Sequence, residues 1–175
     1  MRSLSWVIGA SAALAMAHAA QAQAPTSATA TGSATVIQQI ALVKNTDLAF
    51  GSLVRPSVGS NTVSIDPTSG ARSISGGGDA SLAQTQAASR ATYSVAGEGG
   101  STYSVTVPTN FTMTRTGGSD TLLVSLSASA TSGALSGSVG SGGSANFSIG
   151  GSLPLSANTV SGDYVGTFDV TVGYN

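Results

Sequence analysis

The chain has 175 residues, of which 30 are Ser, 20 are Thr and 23 are Gly, while only 7% are charged and none is Cys. Ordinary globular domains contain about 25% charged residues. With a formal net charge of −1, this composition excludes a basic nucleic-acid binder, a disulfide scaffold and a thiol-ligated metal site.

The N-terminus has the pattern of a secretory signal peptide. Arg2 precedes an apolar run over residues 4–17, and Ala20-Gln21-Ala22 fits the small-residue rule for cleavage, with 17–19 and 22–24 as alternatives. We therefore expect removal of residues 1–22 and export to the periplasm, the cell surface or the medium. The apolar run is shorter than the about 20 residues of a spanning helix. No other long apolar stretch follows it, so we expect no integral membrane segment in the mature chain.

Removal of the signal would leave a chain without His, Trp or Cys, because Trp6 and His18 lie before residue 23. His and Cys supply many of the general bases, nucleophiles and zinc ligands of enzymes. The remaining carboxylates are scattered along the sequence, and Lys44 is its one lysine. We therefore expect a protein that is not an enzyme and that binds no cofactor or metal.

Small residues alternate with Thr and Ser directly after the expected cleavage site. One face of this alternation consists of Ala28, Ala30, Gly32, Ala34 and Val36. A period of two is typical of a strand. Two interpretations stay open: residues 23–33 form an arm that is exchanged with another chain, or they are a disordered lead into a domain over residues 34–175.

The rest of the sequence predicts an all-β domain, because short alternating segments of Val, Ile, Thr and Tyr are separated by Gly, Pro, Asn and Asp. Strands are predicted over residues 35–43, 48–54, 62–66, 111–114, 122–127, 145–149 and 152–155. Residues 80–91 have the composition for at most one helical turn. Residues 132–144 are so rich in Gly and Ser that we expect a flexible hairpin loop.

The sequence Thr-Tyr-Ser-Val occurs twice, at residues 92–95 and 102–105, with a Gly-rich stretch between the two copies. Glycine adopts the positive φ that tight hairpin turns require. The segment 91–108 therefore predicts a β-hairpin.

The C-terminal segment 162–175 predicts one long strand, because residues 164–174 alternate almost ideally. Those residues would span roughly 35 Å at about 3.3 Å per residue. Its predicted core face consists of Tyr164, Phe168, Val170, Val172 and Tyr174. About eight strands with frequent turns favour a single-domain, immunoglobulin-like β-sandwich.

Three segments carry a resemblance to a known family: Asp47-Leu-Ala-Phe-Gly51, Ile65-Asp-Pro-Thr-Ser-Gly70 and the closing strand. In their order and spacing, from about residue 34 to the end, they resemble small secreted proteobacterial β-domains of unknown function. The closing pattern Gly-x-Tyr-x-Gly-x-Phe-x-Val-x-Val-x-Tyr is also similar to the last strand of chaperone–usher pilins and of spore-coat-U-like domains. Many such pilins carry a cysteine pair, which this chain lacks.

The resemblance to pilins implies a sandwich that lacks a strand and is completed by a strand from a neighbouring chain. It also implies like subunits or a periplasmic chaperone as partners. Two functions follow as hypotheses: a fimbrial or surface-fibre subunit with a structural or adhesive role, and a self-contained exported module that binds a glycan or a protein. A groove that lacks one strand would favour the first, and a closed sandwich with a polar pocket would favour the second.

Overall fold

The computed structural model describes residues 24–175. The predicted signal peptide, residues 1–22, lies outside the described residues. The chain divides between Ala34 and Thr35. Residues 24–34 are exposed and have no regular secondary structure, whereas residues 35–175 form the β unit described below.

The β unit is built from short strands, and none of the described residues is helical. The strands are β1 (Ala41–Thr46), β2 (Leu53–Val54), β3 (Ser60–Ile65), β4 (Arg72–Gly76), β5 (Ser81–Leu82), β6 (Ala91–Glu98), β7 (Thr102–Thr106), β8 (Asn110–Arg115), β9 (Thr121–Ala128), β10 (Ser132–Ala134), β11 (Gly142–Ser156), β12 (Tyr164–Val165) and β13 (Thr171–Tyr174). Every pairing is antiparallel. The prediction of a single-domain, all-β sandwich is confirmed.

Most strands belong to one large sheet. Its order is β1-β6-β11-β9-β8-β12, and β3 attaches β4 to β11. A second sheet has the order β10-β7-β13, and β2 pairs with β5 alone. The first strand of the main sheet and the last strand of the second sheet therefore both lie at free edges.

The long strand β11 changes its neighbours along its length. Ile149 lies between Ala91 of β6 and Ala128 of β9, whereas Gly151 lies between Ile65 of β3 and Leu126 of β9. Strands β6 and β3 therefore follow one another along the same edge of β11, with β9 on the opposite edge. A side chain at Gly150 would collide with main-chain atoms of Ile65 and Pro67, so glycine lets β3 approach where β6 ends.

Two apolar clusters line the inner faces of the strands. The first contains Ala91, Tyr93, Val95, Tyr103, Val105, Leu135, Phe147 and Ile149. The second contains Phe50, Val63, Ile65, Val124, Leu153 and Leu155. Strand β11 contributes to both clusters, and its Phe147 ring stacks on the Tyr93 ring with centroids 5.1 Å apart. Strand β11 thus connects the two clusters, and Leu48 and Leu126 also pack against both.

The predicted hairpin over residues 91–108 is wrong. Its two strands exist as β6 and β7, but β6 pairs with β1 and β11, and β7 pairs with β10 and β13. The Gly-rich link bonds elsewhere, since Gly99 N donates to Ser141 O and Gly100 N donates to Leu135 O. The link therefore connects two sheets, and Tyr93 and Tyr103 enter the first cluster from different sheets.

The prediction of one long C-terminal strand is also wrong. The segment forms two short strands, β12 paired with β8 and β13 paired with β7. The chain crosses from one sheet to the other between them, so residues 166–170 belong to neither ladder. Exposure nevertheless alternates over residues 164–172, because the segment stays extended through the crossing.

Other predicted elements differ at their bounds. The predicted strand 35–43 begins only at Ala41, and the predicted strand 48–54 is reduced to β2. Residues 80–91 contain β5 instead of a helical turn. The Gly/Ser-rich stretch 132–144 contains β10 and the start of β11, and the two strands predicted over 145–155 are one strand. Pro154 lies within β11, beyond Ser152 where pairing with β9 ends.

The substitution Gly150→Ala tests the change of neighbours in β11. We expect it to lower the free energy of unfolding by about 3 kcal/mol, because a methyl group would push against the backbone of β3, which cannot rotate away. The matched control is Gly77→Ala, where an added methyl group has nothing within 4 Å. Urea unfolding of both variants checks the prediction, and equal midpoints would contradict it.

The substitution Phe168→Ala tests the packing of the crossing segment. Phe168 is half-buried, and its ring centroid lies 4.9 Å from that of Phe111. We therefore expect the free energy of unfolding to fall by about 2 kcal/mol, less than the about 3–5 kcal/mol typical of a fully buried Phe. The exposed neighbour in Thr167→Ala should change stability by no more than about 0.5 kcal/mol. The comparison uses urea unfolding, and the reverse order of the two losses would show that the faces are assigned wrongly.

Candidate functional site

The β unit contains a cleft of about 810 Å³. Its N-terminal wall is formed by residues between Lys44 and Arg55, and its C-terminal wall by residues 159–168. Its floor is apolar and consists of Ala91, Tyr93, Phe111, Met113, Leu122, Leu153 and Leu155. We refer to this feature as the cleft.

The C-terminal wall contains main chain that has no partner. Residues 166–170 lie between the ladders of β12 and β13, and they make no main-chain hydrogen bond to any described residue. Phe168 and Val170 are half-buried, whereas Thr167 and Asp169 are exposed. An extended segment with free N–H and C=O groups is a template for a further strand.

The N-terminal wall is also only partly paired. Ala49 exchanges two hydrogen bonds of 2.8 Å with Ser89, β2 is two residues long, and the outer edge of β1 has no partner strand. Half-buried apolar side chains from both ends of the β unit pack against the first cluster: Ile40, Leu42 and Leu48 from the N-terminal end, and Phe168, Val170, Val172 and Tyr174 from the C-terminal end. Both ends of the β unit therefore help to cover the first cluster.

Two arginines hold the walls in place by donating to main-chain oxygens. Arg72 of β4 donates to Phe50 O at 2.9 Å and to Ala83 O at 3.0 Å. Arg55 donates to Thr159 O at 2.8 Å, which ties one wall to the other. Each guanidinium satisfies carbonyl groups of an irregular segment. The irregular parts of the walls therefore keep a defined shape although no strand pairs with them.

The charges of the cleft balance one another. Lys44 pairs with Asp47, and Arg55 and Asp163 add one charge of each sign. The hydrogen bond to Asp47 raises the pKa of Lys44, so Lys44 stays protonated at neutral pH. Among residues 24–175 no cluster of His, Cys, Asp or Glu has the arrangement of a metal site. The cleft therefore offers an apolar floor and main-chain groups to a neutral segment.

The structure places the predicted site residues in two groups. Ala28, Ala30, Gly32 and Ala34 are exposed and lie outside any strand, and Val36 is 90% exposed. Of the predicted core face, Tyr164 and Phe168 line the cleft. The remaining three, Val170, Val172 and Tyr174, pack against the first cluster, and all five are half-buried.

Sequence reasoning did not find the N-terminal wall or its arginines. A signal was present in the segment Asp47-Leu-Ala-Phe-Gly51, in which Phe50 is buried in the second cluster and Gly51 has φ 71°. A side chain at Gly51 would lie 2.7 Å from both Arg72 Nη1 and Gln86 O. Phe50 therefore anchors the wall, and Gly51 makes room for the arginine that holds it.

No helix of the described residues is long and apolar enough to cross a membrane.

Comparison with known proteins assigns the chain to a family through its β unit. No curated protein and no solved structure matches the chain. A family model described as Domain of unknown function (DUF4402) matches residues 40–174, a range that includes every strand from β1 to β13. The chain therefore belongs to the DUF4402 family of β-domains of unknown function.

Proposed function

We propose that the protein is an exported, non-enzymatic structural subunit whose cleft accepts a strand from the N-terminal arm of a second copy. The observation that carries this proposal is the extended segment 166–170, which borders an apolar floor and has no main-chain partner. Strand addition to such an edge gives affinity through main-chain hydrogen bonds. The resemblance of the closing sequence pattern to pilins implies a sandwich that lacks one strand, and the proposal applies that arrangement to the cleft.

The occupant we propose is the arm over residues 28–36 of another copy. At about 3.3 Å per residue its nine residues span roughly 30 Å when extended. The arm has no charged residue, which matches the balanced charge of the cleft. Val36, at 90% exposure, is the most exposed of the large apolar side chains in the described part of the chain, so burial in a neighbour would remove an unfavourable contact with water.

The small side chains of the arm suit close approach to the cleft wall. The cleft lining already supplies large apolar side chains, among them the rings of Tyr93, Phe111 and Phe168. Ala and Gly allow the backbone of the arm to come close to the free main chain of the wall. Most of the affinity would then come from the ladder, since alanine side chains contribute little apolar area.

Export is supported by the N-terminal pattern of a signal peptide. A non-enzymatic role is supported by the residue inventory of the mature chain, which offers no His or Cys for catalysis. A subunit of a surface fibre or coat needs a stable fold and a repeatable contact, and the proposed exchange supplies the contact.

Cysteine cross-linking tests the proposed exchange, because the chain contains no Cys of its own. The double variant Ala30→Cys with Thr167→Cys places one thiol in the arm and one on the cleft wall. After mild oxidation of the chain beginning at residue 23, we expect a ladder of dimers, trimers and higher species on non-reducing gels. The ladder should collapse to monomer on reduction.

The matched control is Ala30→Cys with Ser73→Cys, since Ser73 is also exposed but lies on β4, away from the cleft lining. We expect at most traces of oligomer from this pair. Equal ladders from both pairs would indicate random collisions and would contradict the proposal. A monomer with an internal cross-link would show that the arm inserts into its own domain, and an uncross-linked monomer would favour a self-contained binding module.

A further inference from the structure

A buried carboxylate lies at the end of β6. Glu98 is only 1% exposed. Its Oε2 accepts a hydrogen bond of 3.0 Å from Gln38 N, and its Oε1 accepts one from Gly140 N. The ion pairs of the described residues involve other carboxylates, Asp47 and Asp120. The charge of Glu98 is therefore stabilised by main-chain N–H groups instead of a cation. Hydrogen bonds to an ionised carboxylate are stronger than those between neutral groups.

A tyrosine completes the same network. Tyr174 Oη donates to Gln38 O at 2.8 Å and accepts a hydrogen bond of 2.6 Å from Glu98 N. A side chain at Gly97 would collide with this hydroxyl group, so glycine makes room for the tyrosine ring. Both main-chain groups of Gln38 are thus held by side-chain atoms. We refer to Glu98, Tyr174 and their bonds to Gln38 as the Gln38 clamp.

The Gln38 clamp lies at the start of the β unit. Gln38 comes two residues after Val36 and three residues before the first residue of β1. Residues 35–37 belong to no strand and are exposed. Strand β1 pairs on one edge only, with β6. Its N-terminal end would therefore detach from β6 easily unless the residues before it are held. The Gln38 clamp supplies that hold without a second ladder.

We propose that Glu98 and Tyr174 are positioning residues that fix the root of the exchangeable arm at Gln38. The inference rests on the proposed function, because only an arm that reaches another copy needs a fixed starting point. With the root fixed, each residue of the arm meets one position of the neighbouring cleft. Without it, β1 can detach from β6 and the arm can slide by two residues, which a period-two strand tolerates.

The first test measures the Gln38 clamp by amide hydrogen exchange, with peptides covering residues 36–43. It uses the chain beginning at residue 23, diluted until it is monomeric. We expect Glu98→Gln to accelerate exchange there at least tenfold, since an amide side chain has one oxygen in place of two. Tyr174→Phe should do the same while it keeps the carboxylate. The control Asp79→Asn alters another carboxylate that accepts main-chain bonds, from Ser57 N and Val58 N, and should leave residues 36–43 unchanged.

The pH dependence separates the carboxylate from mere packing. Hydrogen bonds from Gly140 and Gln38 lower the pKa of Glu98, so its contribution is complete above the ordinary glutamate value of about 4.3 and is lost as pH falls through the lowered pKa. Tyr174 is the one other titratable side chain that bonds to Glu98 or Gln38 among the described residues. Protection of residues 36–43 should therefore persist at pH 5 and fall in stronger acid, whereas Glu98→Gln should lack this step.

The second test measures register in the assembled chain. With Ala30→Cys in the arm, cross-linking yield is compared between Thr167→Cys on the cleft wall and Asp169→Cys, which lies just beyond the wall on the same extended segment. We expect one of the two to dominate by about fivefold or more in the otherwise unchanged chain, and Glu98→Gln to bring the yields within twofold. Unchanged exchange at residues 36–43, or unchanged selectivity in Glu98→Gln, would overturn the role of the Gln38 clamp. Absence of any cross-link in the unchanged background would instead overturn the proposed function.

Discussion

The fold depends on one strand that serves two neighbours in succession. Strand β11 runs for 15 residues and pairs first with β6 and then with β3 along one edge, while β9 covers the junction from the other edge. Its inward side chains supply Phe147 and Ile149 to the first cluster and Leu153 and Leu155 to the second. Because the hydrophobic contribution of each cluster depends on its burial, displacement of β11 would open both.

The scarcity of charge in this chain has a structural counterpart. Arg55, Arg72 and Arg90 donate to main-chain carbonyl groups of irregular segments, so most arginines replace missing ladder bonds instead of forming ion pairs. On the outer face of the main sheet, one row in register across five strands consists of Ser73, Ser64, Ser152, Ser125 and Asn110. Small polar side chains are sufficient there, because they need to hydrogen-bond only to water or to one another. Ser64 Oγ and Ser152 Oγ, for example, lie 3.0 Å apart.

The alternation of side chains predicted which faces are buried, but not which strands pair. Tyr93, Val95, Tyr103 and Val105 all reach the first cluster, as their period of two requires, yet the hairpin between them does not exist. Side chains alternate with a period of two both when a strand turns back on itself and when the chain crosses to a facing sheet. Gly-rich links occur in both cases, so neither signal tells the two apart. The split of the C-terminal strand has the same origin, because residues 166–170 keep the alternation without the ladder. The walls of the cleft were not predictable, since Arg55 and Arg72 act on carbonyl groups of segments far away in sequence.

Main-chain recognition alone would not give the proposed strand exchange a single register. A cleft whose unsatisfied groups are N–H and C=O recognises any extended segment with small side chains, and the arm over residues 28–36 repeats Ala, Thr and Ser with little to distinguish one position from the next. Side-chain pockets alone would leave such an arm with several registers of similar free energy. Selection of one register must then come from the end at which the arm leaves its own domain. The Gln38 clamp lies at that point, and its buried carboxylate holds the main chain of Gln38. In the proposed exchange, the donor copy would thereby supply the positional information that the acceptor cleft lacks.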